Sequence, residues 1–240
     1  GAKCCLMDMV DDANNTRLAA FSEEETTEAA MRLLWAGIER YGIPLALYVD
    51  KKNVFVVGEK SRQRALDEGR EALTQFGRVC KKLGIRIIPA NSPQAKGRVE
   101  RSHRIYQDRL VKEMRLENIS TIEDANRLLE AGYMDELNGK FTVEAASGID
   151  YHRSAEGIDL AAVFCIEEER SVTEDWIVRF ENRFFQLTPP RKKMRGRGTV
   201  TVQRRSTRSS ISITLWPWMP DRAASSSDPT TRRSQTPASR

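Results

Sequence analysis

The run Leu45-Ala46-Leu47-Tyr48-Val49, set between Pro44 and Asp50, constrains the fold of this chain more than any other segment. It is long enough for a strand and too short for a buried helix. Apolar residues fill consecutive positions, as in a strand covered on both faces, so the run is expected at the centre of a sheet. A second short apolar run, residues 85–88, stops at Pro89. Stretches of helical spacing surround these runs. Met31, Leu34, Trp35, Ile38 and Tyr41 precede the first, and Leu73, Phe76, Cys80 and Leu83 lie between the two. Val99, Tyr106, Leu110 and Met114 follow, on a long helix expected over 95–117. Alternating strand and helix is the order of an α/β fold.

The start of the chain reads as a hairpin. Residues 4–10 form a strand already under way, Asp11-Asp12-Ala13-Asn14-Asn15 is a turn cluster, and residues 17–21 return. An opening in mid-element reads as a chain lacking its natural N-terminus. Ser22-x-x-Glu25 and Ser120-x-x-Glu123 are capping boxes that predict two helix starts. Residues 57–72 are polar and read as an insertion or a mobile loop. After residue 148 the pattern changes to short strands, expected over 162–166, 170–172, 176–180, 183–187 and 199–203, with Glu181-Asn182 as a tight turn. The expected organisation is therefore an α/β core over 1–148, a small β-rich domain over 149–205, and a disordered tail over 206–240. Trp176, Phe180, Phe184 and Phe185 are expected to form the core of the β domain rather than a stacking platform.

Charge is divided unevenly. The whole chain carries +5, but residues 191–240 hold 12 Lys and Arg against 2 Asp and Glu. Residues 1–190 hold 27 against 32. The basic character belongs to the tail, so bulk charge does not argue that the body binds nucleic acid. The Ser-, Arg- and Pro-rich tail fits an accidental extension, such as translation in a shifted frame, better than a basic arm built to grip phosphates. No run approaches the roughly 20 apolar residues of a membrane-spanning helix. The four cysteines include no Cys-x-x-Cys, and the only histidines are His103 and His152. A structural zinc site and a disulfide scaffold are both disfavoured, and a reducing, cytosolic setting is the plain reading. His103 is expected to cap or line the long helix.

Two carboxylates carry the chemistry. Asp50 closes the first short strand, and ligands in open α/β sheets gather outside the carboxyl ends of strands. Glu100 follows Val99 on the long helix, with Lys96 and Arg104 four residues to either side. Alone, either residue would pass for structural. The run Asn91-Ser92-Pro93-Gln94-Ala95-Lys96-Gly97-Arg98-Val99-Glu100, together with Tyr48-Val49-Asp50, makes the wording specific.

This run resembles the Asn-x-Pro-Gln-x-x-Gly-x-x-Glu segment of DDE transposases and retroviral-type integrases. Asp11-Asp12-Ala13, Glu25-Thr26-Thr27, Thr74-Gln75-Phe76-Gly77 and residues 107–113 extend the likeness to bacterial insertion-sequence transposases of the ISNCY/IS481-like kind. The resemblance spans about residues 3 to 190. It implies an RNase H-like integrase core, followed by a small β domain that contacts DNA. It also implies two Mg2+ or Mn2+ ions held by Asp50, Glu100 and a further aspartate, and DNA strand cutting and transfer. DNA ends and target DNA would be the partners, within a homo-oligomer in the bacterial cytoplasm, at the nucleoid and with no membrane. Two carboxylates about 4 Å apart repel by roughly 4 kcal/mol at an effective dielectric near 20, so such a site needs cations. Hard oxygen ligands suit magnesium or manganese. Lys96, Arg98, Arg101 and Arg104 would hold phosphates beside them.

Three departures from the pattern stand out. The family's first catalytic aspartate lies on a strand before the opening hairpin, so Asp11 and Asp12 do not replace it. A chain with two of three carboxylates is expected to bind metal weakly and turn over poorly or not at all. The 49 residues between Asp50 and Glu100 exceed the familiar spacing, and Lys51-Lys52-Asn53 replaces a common Asn-Gly. Two other readings remain open: a non-catalytic DNA-binding or subunit-poisoning fragment, and an unrelated RNase H-like nuclease.

Overall fold

The computed structural model describes residues 3–50, 54–69, 71–90, 100–188 and 198–204, and the backbone of 211–215. The chain divides into two units, Gly1–Val163 and Phe164–Arg240.

The first unit is mixed α/β. Its opening hairpin pairs β1 (Cys5–Val10) with β2 (Arg17–Ser22) antiparallel, with Asp8 opposite Ala19 and Met9 opposite Leu18. Strand side chains alternate between faces. One face of the hairpin therefore carries Leu6, Asp8, Arg17, Ala19 and Phe21, and the other carries Met9 and Leu18. Helix α1 (Thr27–Tyr41) packs on the Met9 face. Its N-cap is Thr26, whose hydroxyl accepts from the Ala29 N–H at 3.1 Å. The box expected at Ser22 does not form, because Ser22 is still in β2, opposite Cys5. Met31, Leu34 and Ile38 are buried as their spacing predicts, whereas Trp35 and Tyr41 are half-buried. Gly42 ends the helix at φ +94°, where a Cβ would stand 2.9 Å from the Arg153 carbonyl oxygen. That close approach lets residues 152–153 lie along the chain, and Ile43 bridges Arg153.

Strand β3 (Ala46–Val49) pairs in parallel with β4 (Arg86–Pro89), Leu47 opposite Ile87. The central, doubly covered position expected for β3 is corrected. Among the described residues β4 is its only partner, Leu45 is 49% exposed and Tyr48 61%. No described element covers that side, so consecutive apolar residues did not signal burial here. The polar stretch after residue 57 holds helix α2 (Glu59–Asp67), which buries no residue. Pairs at i,i+4, Gln63–Asp67 and Arg64–Glu68, support it where a loop was expected. Helix α3 (Gln75–Lys82) is capped by Thr74, whose hydroxyl accepts from Gly77 N–H at 2.9 Å, and it buries Phe76, Val79 and Cys80.

Helix α4 is described from residue 100 to 116. Tyr106 and Leu110 on it join Ala19, Leu129, Met134 and Leu137 in one core, flanked by Leu6 and Phe21 of the hairpin. Helix α5 (Ile122–Leu128) is capped by Thr121 rather than Ser120, with Asp124 N–H donating to its hydroxyl at 3.1 Å. A π turn over Leu129–Tyr133, with Gly132 at φ +119°, leads into α6 (Met134–Phe141). These two helices close the free edge of β2 through asparagines. Asn138 Oδ1 accepts from Arg17 N–H at 2.8 Å while its Nδ2 donates to Arg17 C=O at 2.9 Å. Asn126 does the same for Phe21, at 2.7 and 3.0 Å. The edge-facing backbone groups of Arg17 and Phe21 are thus satisfied without another strand.

The second unit is mainly β. Residues 160–163, just before it, form the short helix α7 (Leu160–Val163) where a strand was expected over 162–166. A single strand, β5 (Ile166–Ser171), stands in place of the two expected short ones. It joins β8 (Thr199–Arg204) and β9 (Ile211–Leu215) in an antiparallel sheet of order β5-β8-β9. Strand β9 falls within the stretch read as a disordered tail, and residues 216–240 lie outside the described ones. Strands β6 (Ile177–Phe180) and β7 (Arg183–Gln186) form a hairpin through Glu181 and Asn182 at φ +47° and +58°, the left-handed pair that a tight two-residue turn needs. Trp176, Val178, Phe180, Leu187, Val200 and Val202 make the core, with Phe185 packed against it. Phe184 is the exception to the expected aromatic core: it is 67% exposed and lies beside the Arg179 guanidinium.

Candidate active site

Asp50 follows the last residue of β3 and is exposed. Its neighbour in the chain, Val49, accepts a hydrogen bond from Ala90 N–H at 2.8 Å, so β3 and β4 end side by side. Glu100 is the first described residue of α4 and is also exposed. The link from β4 to α4, residues 91–99, lies outside the described residues, and with it Lys96 and Arg98. Arg101 and Arg104 are exposed on the first turns of α4. Among the described residues no group of three or more His, Cys, Asp or Glu is arranged to hold a metal ion.

Sequence reasoning missed the carboxylate that the fold buries beside this helix. Asp8 sits in β1 on the face turned toward α4, with its side chain 4% exposed. Its Oδ1 meets His103 Nε2 at 3.0 Å. Burial raises the Asp8 pKa above the ordinary aspartate value; His103, Ser102 and Arg17 offset part of that rise. Burial likewise raises the Tyr106 phenol. His103 therefore lines the helix rather than capping it, and ties α4 to the hairpin. Its partner is 95 residues away in sequence, and no local motif announces it.

Cys80 is buried and its thiol is pushed up to about 12, which removes it as a nucleophile at neutral pH. No helix among the described residues is long and apolar enough to cross a membrane.

Compared with known proteins, the chain matches no family model. It is 36% identical over 193 residues to y4bF of Sinorhizobium fredii (strain NBRC 101917 / NGR234), a protein named as a transposase, covering 78% of this chain and 40% of that one. It is 31% identical over 186 residues to the transposase for insertion sequence IS1202 of Streptococcus pneumoniae, covering 77% and 39%. The chain thus spans about two fifths of the length of these relatives. Among solved structures, one match is a chain in the structure of the simian T-cell lymphotropic virus intasome in complex with PP2A regulatory subunit B56 gamma, with TM-score 0.42 and 14% identity, covering 82% of this chain and 62% of that one. Another is the catalytic core domain of BIV integrase, with TM-score 0.38 and 24% identity, covering 62% and 88%.

Proposed function

We propose that this chain, similar to the transposases y4bF and that of IS1202 over 78% and 77% of its length, belongs to the machinery of DNA transposition, and that Asp50 and Glu100 are metal-binding carboxylates of its integrase-type core. The observation that carries the reading is the position of Asp50. It is an exposed acid at the carboxyl end of a parallel strand, whose neighbour β4 leads through Asn91-Ser92-Pro93-Gln94 toward Glu100. Carboxylate oxygens are hard donors, which fits Mg2+ or Mn2+, ions that keep several waters when few protein ligands are present. When bound, a metal pair stabilises the attacking and leaving oxygens of an in-line phosphoryl displacement. The family resemblance adds to this pair a third carboxylate, on a strand preceding β1.

Arg101 and Arg104, exposed beside Glu100, would hold DNA phosphates together with Lys96 and Arg98. The β module, by the same resemblance, adds a DNA contact, and the active form would be a homo-oligomer on transposon ends and target DNA, in the cytoplasm. A non-catalytic DNA-binding fragment is the second reading, favoured by the same exposed arginines. Titration of the chain with Mn2+, followed by water proton relaxation, separates the two. The proposal expects saturable binding that Asp50→Asn or Glu100→Gln weakens at least about tenfold, the size of effect seen when metal-site groups are removed. Metal binding indifferent to both substitutions, alongside DNA binding with a steep salt dependence, would leave only the fragment reading.

A further inference from the structure

The buried polar atoms of the first unit that lack a partner are not scattered. Among the described residues, the buried side-chain atoms with no hydrogen bond of ordinary geometry are Asp8 Oδ2, Ser102 Oγ, Tyr106 Oη, and Nε and Nη1 of Arg17, although the Ser102 hydroxyl lies close enough to Asp8 and Tyr106 to act on both as a hydrogen-bonding group. They belong to one neighbourhood. Ser102 and Arg17 are near enough to pull the Asp8 pKa down, and Asp8, Ser102 and Arg17 all act on Tyr106. Ser102 is 0% exposed, Tyr106 2% and Arg17 5%. The hydroxyls and guanidinium are donors, and Asp8 is the acceptor they surround. A carboxylate in such a place is costly, and an apolar side chain of similar volume is often as stable or more so.

Helix α4 changes its winding at this cluster. Tyr106–Leu110 is a π turn, closed by Val111 N–H donating to Tyr106 C=O. One residue of a helix corresponds to about 100° of rotation, so the extra residue offsets the phase of residues 100–105 from that of 111–116. Tyr106 packs in the shared core with Ile105 beside it, but Glu100 lies more than a turn ahead of both. Asp8 supplies an anchor within that leading turn. Ser102, His103 and Tyr106 lie at i, i+1 and i+4 along one stripe, and Asp8 is the group they share.

We propose that Asp8 is a positioning residue: through His103 and Ser102 it sets the rotational phase of the first turns of α4, and with it the direction in which Glu100 projects. The inference rests on the reading of Glu100 as a metal ligand and adds a group that does not touch the metal. Asp8→Leu removes the charge while roughly keeping the volume, and Asp8→Asn keeps a polar contact to His103. In the full chain we expect Asp8→Leu to unfold at the same denaturant concentration as wild type or higher. Amide hydrogen exchange at residues 100–106 should nonetheless speed up about tenfold or more with 111–116 unchanged, and Mn2+ affinity should fall about tenfold or more. Asp8→Asn should fall between, and it decides the matter should Asp8→Leu fail to fold. A purely structural aspartate would move stability and affinity together. Wild-type exchange at 100–106, or wild-type Mn2+ affinity, in a folded Asp8 variant would overturn the proposal. Binding of Mn2+ that ignores Glu100→Gln in wild type would instead remove the metal reading, and the exchange rates would still decide whether Asp8 holds the helix.

Discussion

The two faces of the opening hairpin solve the same packing problem in opposite ways. Toward α1 the hairpin presents Met9 and Leu18, which meet the helix at Gly37 with apolar atoms only. Toward α4, α5 and α6 it presents Leu6, Ala19 and Phe21 interrupted by Asp8 and Arg17, and its edge is met by Asn126 and Asn138. Apolar contact is non-directional and tolerates sliding. Polar contact costs desolvation and rewards one arrangement. The α1 face contributes stability with little demand on register, whereas the α4 face specifies which backbone groups meet which helix. On the proposed reading, the specified face is the one that supports the helix of Glu100.

Asn138→Ala should open the widest gap between the faces. It leaves the buried Arg17 N–H and C=O without partners, and each bare group costs on the order of 1–3 kcal/mol. We expect a loss of about 2–4 kcal/mol in urea unfolding. Asn126→Ala, whose bonds to Phe21 are only partly buried, should lose about half as much because water can substitute. Equal losses would mean that burial is not what separates these two contacts, and the contrast between directional and non-directional faces would weaken.

Next in size is the pH dependence set by Asp8. Burial raises its folded-state pKa, despite opposing contributions from His103, Ser102 and Arg17. Below the unfolded value near 3.8 the residue is protonated in both states and costs nothing. As pH rises the unfolded state ionises first, so the native state binds more protons and stability falls until pH passes the raised folded value. Asp8→Asn abolishes this slope. The stability of the variant relative to wild type should therefore increase between pH 3.8 and the folded value, then level off. Unfolding curves across that window check it, and a relative stability that is flat or declines with pH would show that the carboxylate is not desolvated.

Much of this was legible in the sequence where the signal is local. Helical spacing located α1, α3 and the stripe of Tyr106 and Leu110, and Glu181-Asn182 marked its turn. Asp50 was placed at a strand end by the apolar run before it. The misses have physical causes. Ser22 and Ser120 carry the box pattern with Glu25 and Glu123, whereas the residues that do cap, Thr26 and Thr121, are followed three positions later by Ala29 and Asp124 and do not match it. Helix α2 has no apolar stripe to reveal it, because it buries nothing. The asparagine clamps span 105 and 121 residues, and Asp8 finds His103 across 95. Alternation assigns Asp8 to the same face as Leu6, which correctly implies burial, but nothing nearby names the partner that makes burial tolerable.

The smallest predicted effect tests the apolar face and carries the opposite sign. Gly37 lies inside α1, where glycine costs about 1 kcal/mol relative to alanine through backbone freedom in the unfolded chain. A Cβ there would meet Met9 Cε and Sδ at 3.5 Å and Leu18 Cδ2 at 3.7 Å, ordinary van der Waals distances, and the methionine end is flexible. Gly37→Ala should therefore stabilise the protein by about 0.5–1 kcal/mol, read as a higher urea midpoint with unchanged slope. The hydrogen-exchange pattern of α4 should not respond, because the added methyl group enters the face without directional contacts. A destabilised Gly37→Ala would show that Met9 and Leu18 hold α1 as tightly as Asp8 and the asparagines hold the other side, and the difference between the two faces would then be one of chemistry alone and not of tolerance.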